Sequence, residues 1–197
     1  MQRGDYLQSI LRSNKTVLTL KDIALLWQDA DTNAARVRLN YYVRKGDLYR
    51  IRRGLYAKSK EYNKLELATR VFTPSYVSFE TVLAKEGLIF QYQTQVTVAS
   101  YLTRNITIDE QVYNYRRLKN TILTNSMGIE HMGETSVATK ERAFLDTLYI
   151  NIDFHFDNLG ALDWEKVSAM LSMYENKRMT KIVHGMVKQI FGIGQLL

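Results

Sequence analysis

The chain has 197 residues, 46% of them apolar, with 27 basic against 20 acidic side chains and no cysteine. This much apolar content fills real cores, and the missing cysteine excludes disulfides, thiolate metal sites and cysteine nucleophiles. The charge is uneven: the first 60 residues hold 13 basic and five acidic side chains, a net +8, while the remainder is at −1. An excess concentrated in this way points to a polyanionic partner, most simply nucleic acid. It also predicts two modules, residues 1–60 for that partner and residues 61–197 for another task. Met1-Gln2-Arg3-Gly4-Asp5 lacks an apolar run, so no secretory signal is expected. No stretch approaches the ~18 apolar residues of a membrane span, and a cytoplasmic protein is expected.

Asp5 to Ser13 reads as a helix with Tyr6 and Ile10 on its apolar face. Thr16-Val17-Leu18 is short and β-prone. Thr19 with Asp22 has the form of a capping box, with Asp in place of the usual Glu, opening a helix Leu20–Gln28 that turns Ile23, Leu26 and Trp27 inward. Asp29-Ala30-Asp31 is a polar break. A third helix, capped by Asp31 or Thr32, runs to about Lys45 and buries Ala35, Leu39, Tyr42 and Val43. Gly46 ends it in the left-handed conformation. Leu48 to Arg52 then alternates, Tyr49 and Ile51 on one face and Arg50 and Arg52 on the other. Arg53-Gly54 makes a tight turn, and Leu55-Tyr56-Ala57 returns as the partner strand. Three helices followed by a basic hairpin is the order of a winged helix-turn-helix.

From Glu61 the pattern changes. Helices are expected over Lys64–Phe72, stopped before Pro74, and over Ser78–Lys85, ended by Gly87. Strands are expected at 95–101, Gln111–Leu118, Thr121–Asn125 and Ile129–Met132. Thr139 caps a helix with Ala143, Phe144, Leu148 and Tyr149 inside, and helices Asp163–Met173 and Met179–Phe191 follow. The fold class is α+β: an N-terminal winged helix-turn-helix followed by an α+β domain with a small, mostly antiparallel sheet. The apolar tail Ile190–Leu197 is expected to dock on the second domain or on another subunit.

The third helix carries the most specific chemistry. Asn33, Arg36, Asn40 and Arg44, spaced three, four and four apart, form one stripe opposite the buried side. Arg and Asn are the side chains best suited to bidentate contacts with guanine and adenine edges. Recognition helices read with their N-terminal half, which selects Asn33, Arg36 and Asn40 for bases. Arg38 and Lys45 are assigned to phosphates. Arg50, Arg52 and Arg53 of the hairpin enter a minor groove or grip the backbone. Each feature alone also fits a solvated polar face; their joint occurrence selects double-stranded DNA.

Gly46-Asp47-Leu48-Tyr49-Arg50-Ile51-Arg52-Arg53-Gly54-Leu55-Tyr56 resembles the hairpin of AbiEi-type antitoxins, the antitoxin halves of type IV toxin–antitoxin (abortive infection) pairs. Pro74-Ser75-Tyr76-Val77-Ser78-Phe79-Glu80-Thr81-Val82-Leu83, ending Glu86-Gly87-Leu88-Ile89, is similar to the family's next block. Ala138-Thr139-Lys140-Glu141-Arg142-Ala143-Phe144-Leu145-Asp146 is similar to a later one. The resemblance implies a bacterial, cytoplasmic transcriptional regulator that binds inverted repeats upstream of its own operon, through two protomers, and represses it. It further implies that the C-terminal domain opposes a nucleotidyltransferase-like toxin from the adjacent gene.

A catalytic reading finds little support. His131, His155 and His184 are scattered, no phosphate-binding glycine loop is present, and Gly192-Ile193-Gly194 lacks the strand–helix context. Glu80, Glu86, Glu134 and Glu141 could meet only through the fold. Glu141, Arg142 and Asp146 share a helix as a local ion-pair network. No enzyme, cofactor or metal is expected. The rival reading is a protein-interaction module whose basic face binds an acidic partner, such as the toxin itself.

Overall fold

The computed structural model describes residues 3–28 and 32–192. The expected break at Asp29-Ala30-Asp31, the cap from Asp31 or Thr32 and the tail beyond Gly192 lie outside the described residues. The chain divides into two compact units, Met1–Val71 and Phe72–Leu197.

The first unit runs α1 (Arg3–Arg12), β1 (Val17–Thr19), α2 (Leu20–Trp27), α3 (Thr32–Lys45), β2 (Tyr49–Arg52), β3 (Leu55–Ala57) and α4 (Lys64–Val71). Strand β3 lies between β1 and β2, antiparallel to both. Helices, sheet and hairpin in this order form a winged helix-turn-helix. Its core holds Ile10, Leu18, Ile23, Trp27, Ala35, Leu39, Tyr42, Leu48 and Tyr56, with Tyr6, Leu26 and Val43 at its margin. The capping box forms: the Thr19 hydroxyl accepts from the Asp22 amide while the Asp22 carboxylate accepts from the Thr19 amide. Gln28 closes α2 in the left-handed conformation, and its amide bonds back to Ala24 and Leu25.

The change of composition places a boundary at residues 60/61, but the first unit continues through α4. Glu66 is the physical reason. Its buried carboxylate accepts from the Thr16 amide and hydroxyl and from the Val17 amide, at the start of β1. A composition shift cannot register a tie across 50 residues.

The second unit comprises β4 (Ser75–Val77), α5 (Glu80–Lys85), β5 (Val96–Ser100), β6 (Arg104–Ile108), β7 (Gln111–Arg117), α6 (Asn120–Leu123), β8 (Ile129–Met132), β9 (Thr135–Ala138), α7 (Lys140–Ile150), α8 (Trp164–Leu171) and α9 (Lys177–Phe191). Its six strands run in the order β6-β7-β5-β4-β9-β8. Pairs β6/β7, β5/β4 and β9/β8 are antiparallel; β7/β5 and β4/β9 are parallel. All five residues of β5 are buried, as for a strand covered on both faces.

Two local expectations are corrected. Ser75–Val77, between the two expected helices, is a strand that lies between β5 and β9. Helix α5 begins only at Glu80, because the Ser78 amide is engaged by the Thr97 carbonyl. Residues 121–125, expected as a strand, hold the short helix α6. The Ile122 and Leu123 amides bond back to Lys119, their side chains are buried, and the Ile122 carbonyl accepts from Arg142. Tertiary contact outweighs the β-prone composition of this segment.

Arg142 and Asp146 of α7 form a fully buried pair at 3.2 Å. Asp146 also accepts from the hydroxyls of Tyr76, Ser78 and Tyr174. Arg142 donates to the Tyr76 oxygen and to the carbonyls of Ile122 and Met127. Burial, then the Asp146 charge, pushes the Tyr76 and Tyr174 hydroxyls well above the usual tyrosine range, so both stay protonated donors. The second and third sequence blocks therefore meet at a structural network joining β4, α6 and α7. Beside it, Gly128 (φ +70°) has no room for a side chain: a Cβ would lie 2.6 Å from the Met170 sulfur and 2.9 Å from the Arg142 Cβ.

Removing one member of a buried pair strands the other charge. Asp146→Ala is expected to destabilise the second unit by about 3–5 kcal/mol. Tyr174→Phe, which deletes one donor, is expected to cost about 1 kcal/mol. Urea unfolding followed by Trp164 emission in a Trp27→Phe background checks both; equal, small losses would contradict the network.

Candidate nucleic-acid interface

Residues 1–71 hold 15 basic and seven acidic side chains, so the positive excess belongs to the winged-helix unit. Two carboxylates frame that unit from within. Besides capping α2, Asp22 pairs with Lys15 at 2.5 Å and with Arg70 of α4 at 3.1 Å. Glu66 pairs with Arg70 at 3.1 Å while holding the start of β1. Helix α2, strand β1 and helix α4 are thus pinned by charge-assisted bonds, which are stronger than neutral ones.

On this frame α3 buries Ala35, Leu39 and Tyr42, and the Tyr42 ring lies 6.4 Å from that of Trp27. An α-helix advances about 100° per residue, so the outward face must carry residues 33, 36, 37, 40, 41 and 44. Asn33, Arg36, Asn40 and Arg44 are all exposed there, as one stripe. Two residues outside the Arg and Asn stripe share the face: Val37, 72% exposed, and Tyr41, 59% exposed. Their signal was present in the sequence, because Val37 lies two positions from Ala35 and four before Tyr41, out of step with the buried row.

Arg38, expected at phosphates, is half-buried and lies against two aromatic rings. Its guanidinium lies 3.8 Å from the Tyr6 ring centroid and 5.3 Å from that of Trp27, on the flank where α3 meets α1 and α2. A cation stacked between two rings acts as a packing element. Lys45 is exposed but pairs with Asp47 at 3.3 Å, and the hydrogen bond to that carboxylate, then its charge, raises the lysine pKa. Gly46 (φ +83°) turns the chain toward the wing.

In the wing, Arg50 and Arg52 lie on the exposed side of β2 while Ile51 faces the core. The β2/β3 register shifts between Arg50 and Arg52, a bulge that strengthens local twist. Arg53 is exposed in the turn, beside Gly54 at φ +84°. All three wing arginines project from a short hairpin whose opposite face is buried.

Residues 5–57 match the family model described as a transcriptional regulator, AbiEi antitoxin. The first unit is similar to that family over these 53 residues, about a quarter of the chain. The match spans α1 to β3 and so includes every residue of the exposed α3 stripe and the wing. Of solved structures, the RV2827C protein from Mycobacterium tuberculosis is similar, with a TM-score of 0.51 and 11% sequence identity over 86% of this chain and 70% of that one. That likeness speaks for the fold. No curated protein matches the chain.

Outside the Arg142/Asp146 network, several titratable groups of the second unit have partners of their own. Glu80 pairs with Arg116 at 2.9 Å, and Glu141 accepts from the Asp163 amide. His131 meets the Ser136 hydroxyl, and His155 pairs with Asp157 at the surface. Among the described residues no group of three His, Asp or Glu is placed to hold a metal. The sharp turn from β4 into α5 has the form that elsewhere presents a nucleophile. Here it is occupied by Phe79 (φ 57°), whose buried ring carries none. No helix among the described residues is long and apolar enough to cross a membrane.

Asp22 makes the frame pH-sensitive. Burial pushes its carboxyl up, but the bonds from Lys15 and Thr19, together with Arg70, outweigh burial and hold it below its ordinary 3.8. A depressed carboxyl contributes stability that is fully present above the unfolded pKa and is lost as pH falls through the folded one. The thermal midpoint of the first unit, read from Trp27 in a Trp164→Phe background, is therefore expected to fall below about pH 3.8. Asp22→Asn should lower the midpoint at pH 7 and flatten the acid decline. An unchanged decline would show that Asp22 is not the group responsible.

Proposed function

We propose that this protein represses its own operon by occluding the promoter, and that it is the antitoxin of a type IV pair. Two protomers would meet an inverted repeat, each laying α3 in a major groove. Asn33, Arg36 and Asn40 read base edges, Arg44 and Lys45 meet phosphates, and Arg50, Arg52 and Arg53 hold the backbone or enter the minor groove. Arg38 is assigned instead to holding α3 against Tyr6 and Trp27, on the 3.8 Å stacking distance. The second unit, residues 72–197, would antagonise a nucleotidyltransferase-like toxin and perform no catalysis itself. The observation that carries the DNA reading is the pairing of an outward Asn33/Arg36/Asn40/Arg44 face with a three-arginine wing inside the basic unit.

Arg36→Ala and Arg52→Ala separate base reading from backbone grip. Losing a bidentate base contact relaxes preference at one position by about 1–3 kcal/mol. Losing a phosphate contact weakens all sequences alike and lowers the salt slope by about 1. Competition binding against single-base variants of the bound duplex, at several salt concentrations, is expected to show the first pattern for Arg36→Ala and the second for Arg52→Ala. Identical behaviour of the two variants would reject the assignment. Growth on co-expression with the adjacent gene product tests the antitoxin role: residues 72–197 are expected to restore growth, and failure of the full chain to do so would contradict it.

A further inference from the structure

Val37 lies closer to the outward pole of α3 than Arg36 or Asn40. The mean direction of buried Ala35, Leu39 and Tyr42 has its opposite within about 15° of Val37 at 100° per residue. Asn33, Arg36 and Asn40 lie on one side of that pole, and Tyr41 extends the apolar ridge one turn onward on the other. The side chain is 72% exposed and makes no core contact that α3 needs. An isolated exposed valine is ordinary on a protein surface, so exposure alone decides nothing. Position decides it: Val37 stands near the pole beside Arg44, one turn from Asn33 and three residues from Asn40, so a groove that receives Asn33 and Asn40 meets Val37 as well.

The floor of a major groove offers donors, acceptors and one apolar group, the 5-methyl of thymine. A valine has nothing to exchange with the donors and acceptors and would leave them unsatisfied. Its branched Cβ also restricts χ1 in a helix to essentially one rotamer, so its methyls are already placed and little freedom is lost on contact. We infer that Val37 is a specificity residue that reads a thymine methyl within the half-site, beside the purines read by Arg36 and Asn40. This rests on the reading of α3 as the recognition helix.

Deoxyuridine in place of thymine deletes the methyl and leaves every hydrogen-bonding group intact, which isolates the contact. The full chain would first select duplexes from a random pool, and each thymine of the selected site would then be replaced in turn. At one position per half-site the wild type is expected to bind about fourfold more weakly, the equivalent of ~0.8 kcal/mol for one buried methyl. Val37→Ala, at an exposed helical position, should fold normally and lose the thymine–deoxyuridine difference at that position while keeping the preferences set by Arg36. Val37→Thr, which retains one methyl, should keep part of the difference. Selection of a site with no methyl-sensitive position, or sensitivity that survives Val37→Ala, overturns the inference alone. Failure to select any sequence overturns the recognition-helix reading and this inference with it.

Discussion

Helix α3 buries Ala35, Leu39 and Tyr42 against a core anchored by Trp27, and this one-sided burial fixes what its other side presents. A helix cannot rotate about its axis without exposing one of those residues, at ~1.5–3 kcal/mol for a large apolar side chain. Arg36, Val37, Asn40 and Arg44 are therefore held outward by side chains on the buried side of the helix. Preorganisation of this kind matters for sequence reading, because a face that wandered would lose the bidentate geometry that separates one base from another. Arg38 adds a contact with the rings of Tyr6 and Trp27 at the flank of the helix.

Both units use buried or half-buried carboxylates as junctions, under different conditions. Asp22 and Glu66 collect backbone amides together with Lys15 and Arg70, and so tie distant segments of the winged helix together. Asp146 lies deeper and needs three hydroxyls as well as Arg142 to satisfy it. Charges so placed add little net stability beyond an apolar core, but any loss among them is severe. That asymmetry accounts for the Tyr76, Ser78, Arg142 and Asp146 positions without an active site. Elsewhere in the second unit Glu80 pairs with Arg116, and Glu141 accepts from the Asp163 amide.

Much of the winged helix was legible in the sequence because its signals are local. The Thr19/Asp22 box, Gly46 and the alternation from Tyr49 to Arg52 each act within a few residues, and each formed in the structure. The second unit was less legible because its decisive contacts are distant. Strand β4 is three residues long and exists through pairing with β5 and β9, about 20 and 60 residues away. Helix α6 depends on Arg142, 20 residues on. The ring contact of Arg38 was not legible, because Tyr6 lies 32 positions earlier. Val37 and Tyr41 could have been found by carrying the helical period outward as well as inward.

The measurement that tests the central claim most directly is fluorescence anisotropy of the full chain on the duplex immediately upstream of its own coding sequence, against a scrambled duplex of equal composition, across a salt series. Tighter binding to the native duplex, with affinity to both falling steeply as salt rises, is the expected result. Equal affinity for the two duplexes, or no binding to either at low salt, would contradict a sequence-reading α3 and assign the basic face to a protein partner.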